Sequence, residues 1–351
     1  MKTIFLRADG NAKIGMGHLM RLMTVAEHFD RHTRAVFLCA DEISAETVRN
    51  HGFEARALGT FYQNMESEIP VLQKMMAEYA GAADPEENGV GRAALVVDSY
   101  YVTKTYLERV GEFAAVILMD DLQNTVYPVD GIVNYNCFAD EDWYREHYPK
   151  GEALIGSAYI PLRKQFQNLK TPDGKSIENI LITTGGGDVE NIGGMILKRL
   201  YSEKLCFHIV LGQFSPGFEA VSEFAKDKPN IRIHKNVENM AELMQSCDLG
   251  ITAGGTTVYE MCAAGLPFLC FSYAENQNQL VDYIGRHEIA ASCGFYEQGP
   301  EKCLKTIEEK FREALKNPEL CKEYILRERK LTDGNGAARL AGGIEKFSGL
   351  R

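Results

Sequence analysis

Short runs of apolar residues alternate along the chain with longer stretches whose apolar residues recur at helical spacing. The segment from Leu19 to Phe29 shows the helical pattern, and it directly follows the first apolar run. In the first half, the apolar runs predict strands at Thr3–Leu6, Ala35–Cys39, Ala93–Val97, Ala115–Met119, Gly131–Asn134 and Ala153–Ile155. Continuous apolar runs separated by helices are typical of a parallel sheet that is covered on both faces.

The same rhythm restarts after a polar stretch that runs from Pro161 to Lys175. The second half predicts strands at Asn179–Thr184, Cys206–Leu211, Ile231–His234, Leu249–Thr252 and Pro267–Phe271. We therefore predict an α/β protein of two Rossmann-like, parallel-sheet domains that face a cleft, with a boundary near residues 160 to 176. Residues 1–162 form the first domain and residues 163–351 the second, and a return of the last helix to the first domain is left open. A polar, turn-rich stretch over residues 82–89 predicts a surface insertion.

Composition narrows the possible partners. With 351 residues the chain is long for one core, which agrees with two domains. The formal net charge is −11 and no basic run offsets it, so we expect no nucleic-acid partner. Nine cysteines without C-x-x-C spacing predict free thiols in a reducing cytoplasm. Because the chain shows neither a signal-peptide core nor an apolar stretch of membrane-spanning length, we expect a soluble cytoplasmic protein with no membrane partner.

The most informative segment, Ile14 to Arg21, places a histidine directly after a glycine turn where a strand gives way to a helix. His18 then lies in the first turn of the helix, where the positive end of the helix dipole favours a neutral imidazole that is able to accept a proton. Gly15 and Gly17 leave room for an anionic ligand near the backbone N–H groups of the same turn. His18 is therefore a candidate general base. The alternative is a histidine that only caps or packs the helix.

A second glycine turn links a predicted strand to a helix between Ile251 and Glu260. Backbone N–H groups at Gly255 and Thr256, with the threonine hydroxyls, are candidates for holding a diphosphate, and Glu260 is a candidate for accepting hydrogen bonds from ribose hydroxyls. The alternative is an ordinary helix start in which Thr256 is the N-cap and Glu260 its capping partner.

Other polar residues follow the carboxyl ends of predicted strands, and in an open parallel sheet these ends border the ligand crevice. The glycines of Thr184 to Asp188 permit close approach of a phosphate, or they form only a connection. The loop Ala274 to Gln279 offers amides to sugar substituents, or it is only a polar loop. Further polar residues at strand ends are Asp98, Ser99, Asp120, Asp121 and Asn134 to Asn136.

The motifs together resemble the UDP-sugar hydrolases of pseudaminic acid biosynthesis, within the glycosyltransferase-B superfamily. The N-terminal signature consists of Arg7-x-Asp9 and Ile14-Gly15-x-Gly17-His18-x-x-Arg21. The donor-binding region shared with UDP-N-acetylglucosamine transferases corresponds to Gly254-Gly255-Thr256-Thr257-x-x-Glu260, Gly265-x-Pro267 and Asn276-Gln277, and Asp98-x-Tyr100 and Gly185 to Asp188 also fit. The likeness spans most of residues 1 to 290, and the inserted stretch at 82 to 92 and the tail after residue 300 depart from the pattern.

The resemblance implies that water attacks the anomeric carbon of a UDP-sugar and that UDP and a free diacetamido-trideoxy-L-altrose are released, with His18 as the general base. It implies that UDP lies mainly against the C-terminal domain. The substrate-binding candidates are Asp9, Gly15, Gly17, Arg21, Tyr100, Asn276 and Gln277. The UDP-binding candidates are Gly185, Gly186, Gly187, Val237, Gly254, Gly255, Thr256, Thr257 and Glu260.

We expect no cofactor and no metal, because the leaving group is already good. The other seven histidines lack metal-ligand spacing and are expected to pack or to lie at the surface. The expected partner is the UDP-sugar substrate, and the expected assembly is a monomer or a weak homo-oligomer.

Three alternatives stay open at this level. A glycosyltransferase would use His18 to deprotonate an acceptor hydroxyl instead of water, and a non-catalytic nucleotide-sugar-binding protein would need no base. A dinucleotide-dependent oxidoreductase is disfavoured, since Met20 stands where the third glycine of that fingerprint allows close helix packing.

Overall fold

The structure, a computed structural model, describes residues 2–11, 13–81, 93–150, 153–172, 176–185, 188, 190–212 and 216–348. The predicted insertion at residues 82 to 92 lies outside these described residues. The chain divides into two compact units, one formed by Met1–Pro161 with Asn335–Arg351 and the other by Leu162–Gly334.

The N-terminal unit contains a seven-stranded parallel sheet in the order β3-β2-β1-β4-β5-β6-β7. Its strands are β1 (Lys2–Ala8), β2 (Thr33–Cys39), β3 (Glu54–Ala57), β4 (Ala93–Asp98), β5 (Ala114–Met119), β6 (Gly131–Asn134) and β7 (Ala153–Ile155). Its first five helices are α1 (Gly17–Ala26), α2 (Glu42–Asn50), α3 (Ile69–Gly81), α4 (Lys104–Gly111) and α5 (Glu141–His147). The central strands are buried along almost their whole length, which explains their continuous apolar sequence.

The C-terminal unit contains a six-stranded parallel sheet in the order β10-β9-β8-β11-β12-β13. Its strands are β8 (Asn179–Thr183), β9 (Cys206–Leu211), β10 (Ile231–Lys235), β11 (Leu249–Ala253), β12 (Phe268–Ser272) and β13 (Ala291–Phe295). Its helices are α6 (Ile192–Leu200), α7 (Phe218–Ala225), α8 (Met240–Gln245), α9 (Thr256–Ala264), α10 (Asn278–Arg286), α11 (Pro300–Lys316) and α12 (Pro318–Leu331).

The last helix, α13 (Gly336–Phe347), packs in the N-terminal unit. A Cβ on Gly336 would lie 2.2 Å from the carbonyl oxygen of Ile160, so only glycine allows this approach. The Arg339 Nε donates to the carbonyl oxygen of Ala158 over 2.7 Å. Helix α13 therefore belongs to the N-terminal unit, which is the return of the last helix that the sequence analysis left open.

All of the predicted strands are present, within two residues at each end, and the α/β class with two parallel sheets is confirmed. Two strands were not predicted, β3 and β13. Each lies at an edge of its sheet, where one side of the strand pairs with no other described strand. The sequences of β3 (EARA) and β13 (ASCGF) consequently lack the apolar run by which central strands are recognised.

Candidate active site

His18 is the second residue of α1, at the carboxyl end of β1. The loop between them is closed by an isolated bridge in which Gly15 N–H donates to the Asn11 carbonyl over 2.8 Å and Asn11 N–H donates back over 3.2 Å. Gly15 has a φ of +75°, a left-handed conformation that favours glycine. The glycine turn thus fixes where the helix begins. It places His18, which is only 6% exposed, on the side of the sheet where the strands have their carboxyl ends.

The partner of His18 is Asp98, the last residue of the neighbouring strand β4. The His18 Nδ1 lies 2.7 Å from the Asp98 Oδ1. Because an ionised carboxylate can only accept, the proton of a neutral His18 ring lies on Nδ1, and Nε2 is left as an acceptor. The ring of Tyr100 packs edge-on against His18 with 4.6 Å between the ring centroids, which further restricts the imidazole.

Arg21, one helical turn after His18, joins the same carboxylate to a second one. Its Nε donates to the Asp98 Oδ2 over 2.5 Å, and one of its terminal nitrogens also donates to the Asp98 Oδ1. The guanidinium also contacts both oxygens of Asp121, at 2.8 and 2.9 Å, and the hydroxyl of Tyr135 at 2.8 Å. The terminal nitrogen that donates to Asp98 also lies 3.2 Å from the His18 Nδ1. Burial alone would raise the pKa of Asp98, but the Arg21 charge outweighs it and the pKa of Asp98 is lowered. Asp98 therefore stays ionised beside His18.

Asp9, predicted to bind substrate, is buried in a different ionic cluster. Its Oδ2 accepts from the fully buried Arg7 over 2.5 Å, and its Oδ1 accepts from the Ala40 N–H over 2.6 Å. Arg7 in turn pairs with both oxygens of Glu68 at 2.7 and 2.8 Å. Both carboxylate oxygens of Asp9 are thus engaged inside the unit. The Arg7-x-Asp9 motif accordingly ties β1 to β2 and supports the loop before His18.

A small cavity of about 10 Å³ adjoins His18. This is close to the space that one water molecule needs, and polar side chains are among those that line the cavity. Its lining consists of Asp9, Ile14, His18, Tyr62, Asp98, Ser99, Tyr100 and Tyr101.

In the C-terminal unit, helix α9 begins with backbone donors that no side chain caps. Gly255 is the N-cap and makes no side-chain cap bond, and the N–H groups of Thr256 and Thr257 have no hydrogen-bond acceptor among the described residues. A Cβ on Gly255 would have no other atom within 4 Å among the described residues. This helix start is therefore open to an anion, and binding of a diphosphate here stays a prediction. Gly254 has another role, because a Cβ there would lie 2.5 Å from the side chain of Val281.

Glu260 does not reach back to cap α9, so the alternative of an ordinary capping pair is wrong. Instead, its Oε1 accepts from an Arg163 terminal nitrogen over 2.7 Å. Glu260 is largely buried, whereas the Arg163 side chain is 37% exposed. Arg163 was not predicted, since nothing in the sequence near residue 163 links it to a residue almost a hundred positions later.

The turn from Thr184 to Asp188 differs from the start of α9. The Asp188 carboxylate accepts from the N–H groups of Ile192 and Gly193 at 2.7 and 2.9 Å and from the Thr184 hydroxyl at 2.8 Å. An anionic side chain therefore already occupies the N-terminus of α6. Gly185 has a φ of +78°, and Gly186 and Gly187 lie outside the described residues. Of the two predicted phosphate turns, the one before α9 is the better candidate.

The remaining predicted contacts also lie at carboxyl ends of strands in this unit. Asn276 is exposed in a short 3-10 helix after β12, and the Gln277 Oε1 accepts from the Tyr273 N–H over 3.0 Å. Val237 is half-buried in the loop after β10.

Within the described residues, no group of three or more histidine, cysteine or acidic side chains has the geometry of a metal site. The buried His208 is a packing histidine, as expected, and its Nδ1 lies 3.1 Å from the Nε2 of His234. Among the described helices, none combines the length and the apolar character that a membrane crossing requires.

Comparison with known proteins supports the resemblance. Residues 179–329 match the Glycosyltransferase family 28 C-terminal domain. The chain is 22% identical to the UDP-2,4-diacetamido-2,4,6-trideoxy-beta-L-altropyranose hydrolase of Campylobacter jejuni, over 82% of this chain and 97% of that protein. It is 25% identical to the spore coat polysaccharide biosynthesis protein SpsG of Bacillus subtilis, over 85% of both. Uncharacterized protein MJ1062 of Methanocaldococcus jannaschii is 23% identical over 80% of this chain, which spans 57% of that longer protein.

Solved glycosyltransferase structures share the fold along the whole chain. Acinetobacter baumannii MurG superposes with a TM-score of 0.67 at 15% identity, covering 99% of this chain and 100% of that one. Phytolacca americana UGT2, solved with UDP-2fluoro-glucose and pterostilbene, superposes with a TM-score of 0.68 at 11% identity and complete coverage of both chains. The chain thus has the glycosyltransferase-B fold, with two parallel-sheet α/β units, and residues 179–329 are similar to the glycosyltransferase family 28 C-terminal domain.

Proposed function

We propose that this protein hydrolyses a UDP-sugar at the anomeric C–O bond, with His18 as general base. The observation that carries the proposal is the pairing of His18 with Asp98, which commits Nδ1 and leaves Nε2 as the only proton acceptor on the ring. A ring oriented in this way beside a water-sized cavity suits the deprotonation of water.

In the proposed reaction, the water oxygen bonds to the anomeric carbon while the bond from that carbon to the β-phosphate oxygen breaks. The bonding electrons leave with UDP, and the water proton passes to the His18 Nε2. A base held in place by a carboxylate contributes about 10²- to 10⁴-fold to such a step.

The C-terminal unit supplies the complementary part, which is stabilisation of the departing diphosphate. The uncapped N–H groups of Thr256 and Thr257 and the dipole of α9 are suited to its growing negative charge. Glu260, held by Arg163 through one oxygen, has its second oxygen available for a ribose hydroxyl. The solved relative that holds UDP-2fluoro-glucose supports UDP as the nucleotide.

The sugar is proposed from the relative whose name states it. That hydrolase acts on UDP-2,4-diacetamido-2,4,6-trideoxy-β-L-altropyranose, and we propose the same substrate and a step of pseudaminic acid biosynthesis for this chain. A cytoplasmic site of action is proposed as well, because buried cysteines such as Cys39, Cys270 and Cys293 are free thiols.

A glycosyltransferase is the second candidate, favoured by the fold shared with transferases such as MurG. A third possibility, a nucleotide-sugar-binding protein without catalysis, would need no oriented base. These functions differ in one measurable respect, since only a hydrolase releases UDP at full rate without any acceptor.

The decisive experiment incubates the protein with a panel of UDP-sugars in ¹⁸O-labelled water without an acceptor. We expect UDP to be released fastest from the diacetamido-trideoxy-L-altrose derivative. The label should be found in the sugar and not in the phosphate. His18→Asn should lower turnover by about 10²-fold or more with UDP affinity retained, whereas His51→Asn, at an exposed histidine, serves as the control. Label in the phosphate, or full turnover by the His18 variant, would refute the proposed mechanism.

A further inference from the structure

Arg21 has an unusual hydrogen-bond inventory. A guanidinium carries five N–H donors and no acceptor. Two donors of Arg21 point to Asp98, two point to Asp121, and the fifth points to the Tyr135 hydroxyl. Every donor is therefore used within the N-terminal unit. None is left for the substrate contact that the resemblance implies for Arg21.

The three partners come from three different strand ends. Asp98 ends β4, Asp121 follows β5, and Tyr135 follows β6. Arg21 itself lies one turn after His18, which puts both side chains on the same face of α1. The guanidinium thus spans neighbouring strand ends. It shares the Asp98 Oδ1 with His18 and itself lies 3.2 Å from the His18 Nδ1.

Without Arg21, the buried groups that it contacts would lose their cation. Asp98 and Tyr135 are nearly inaccessible to solvent, and the side chain of Asp121 is only 16% exposed. A buried carboxylate that loses its cation is strongly destabilised or takes up a proton. A protonated Asp98 would be a weaker acceptor for the His18 Nδ1–H and would no longer fix the tautomer of the ring.

We propose that Arg21 is a positioning residue for the hydrolysis, which holds Asp98 against His18 through a fork anchored on Asp121 and Tyr135. This inference rests on the proposed function. Lysine cannot replace Arg21 in this role, because an ammonium is a point charge and lacks the planar fork that serves two carboxylates at once.

The test compares Arg21→Met with the wild-type protein. Methionine keeps an apolar stem and removes every donor. We expect kcat to fall roughly 10- to 100-fold, the range typical of residues that orient a catalytic ligand, while KM and the Kd of UDP stay unchanged. The acid limb of the kcat/KM profile should move to higher pH, since burial of Asp98 is no longer opposed by the Arg21 charge. Arg21→Lys should recover little of the activity that Arg21→Met loses.

Arg199→Met is the matched control. Arg199 likewise bridges two carboxylates, Glu301 at 2.7 Å and Glu308 at 2.8 Å, but it lies in the C-terminal unit at the surface. It should leave kcat and the pH profile unchanged.

Two milder variants keep the proposal testable if Arg21→Met does not fold. Asp121→Asn and Tyr135→Phe each loosen the fork and leave Arg21, Asp98 and His18 in place. We expect kcat to fall several-fold with constant KM. If Arg21 instead binds substrate, these variants release N–H donors for it, so KM would change while kcat is kept, and the proposal would be overturned.

A spectroscopic measurement separates this inference from the proposed function. The ¹⁵N NMR signals of the His18 ring should show the proton on Nδ1 in the wild-type protein, and this fixed tautomer should be lost in Arg21→Met. If no UDP-sugar is hydrolysed but the tautomer depends on Arg21, the function is wrong and the positioning role stands. If hydrolysis occurs and the tautomer is unaffected by Arg21→Met, the positioning role is wrong.

Discussion

The Nδ1 of His18 and the Oδ1 of Asp98 lie 2.7 Å apart, although 80 positions separate the two residues in the chain. Strands β1 and β4 are neighbours in the sheet, with Ala8 opposite Asp98, and this brings the aspartate beside the first turn of α1. The same logic operates in hydrolases in which an aspartate fixes the tautomer of a catalytic histidine. The pair is therefore the natural place to begin testing the mechanism.

Replacement of Asp98 by asparagine should impair catalysis without affecting nucleotide binding. The amide has nearly the same shape, but it no longer offers an anionic acceptor for the His18 Nδ1–H. We expect kcat to fall about 10²- to 10⁴-fold, with an unchanged Kd for UDP by calorimetry. A variant that turns over normally would show that His18 acts without its carboxylate partner, and a folded circular dichroism spectrum is the control for structure.

The Arg163–Glu260 pair should determine affinity for the ribose. Glu260→Gln and Arg163→Met each remove a charge-assisted hydrogen bond, so we expect the Kd of UDP to rise about tenfold, which corresponds to about 1.4 kcal/mol. The double variant should show little further loss, because the two residues act as one unit. Glu260→Gln should also reduce the preference for UDP over 2′-deoxy-UDP. Arg286→Met, at an exposed arginine paired with Asp282, is the control, and an equal loss there would argue against a specific role.

Gly255→Asp tests whether the start of α9 receives the diphosphate. A side chain fits here because a Cβ at Gly255 meets nothing within 4 Å and its φ of −116° suits any residue. An aspartate N-cap should raise the free energy of unfolding by about 0.5–2 kcal/mol, while its charge repels a phosphate. We therefore expect a more stable protein that binds UDP at least tenfold more weakly. Gly255→Ala, without the charge, should bind nearly normally, and unchanged UDP binding by the aspartate variant would exclude this helix start.

Glu328 should destabilise the fold increasingly as the pH rises. Its side chain is fully buried and neither of its carboxylate oxygens has a hydrogen-bond partner among the described residues, so burial raises its pKa well above the usual value of 4.5. Below pH 4.5 both folded and unfolded chains keep the proton. At higher pH the unfolded chain releases it and the folded chain does not, which favours unfolding.

Glu328→Met should therefore raise the melting temperature, by an amount that grows between pH 4 and pH 8. Removing an unsatisfied buried polar group is worth about 1–3 kcal/mol. Glu319→Met, on the exposed side of the same helix, should produce no such pH-dependent gain. A gain that is equal at both pH values would show that Glu328 keeps the same protonation state in the folded and unfolded chains.

The sequence allowed prediction of the central strands because each is buried on both faces, so its apolar run is continuous. It also located His18 and the turn before α9, since both depend on local signals, namely a glycine turn that follows a strand and opens a helix. The edge strands β3 and β13 were missed for the opposite reason, since only one residue of β3 and two of β13 are buried.

The sequence by itself thus determined the central strands of both sheets and the residue that carries the proposed chemistry. Only the tertiary structure decided which side chains surround that residue. It paired His18 with Asp98, used all the donors of Arg21, engaged both oxygens of Asp9, and joined Glu260 to Arg163. The physical reason is that strand order in a parallel sheet brings together residues that are far apart in the chain, 114 positions for Arg21 and Tyr135, and no local pattern records this order.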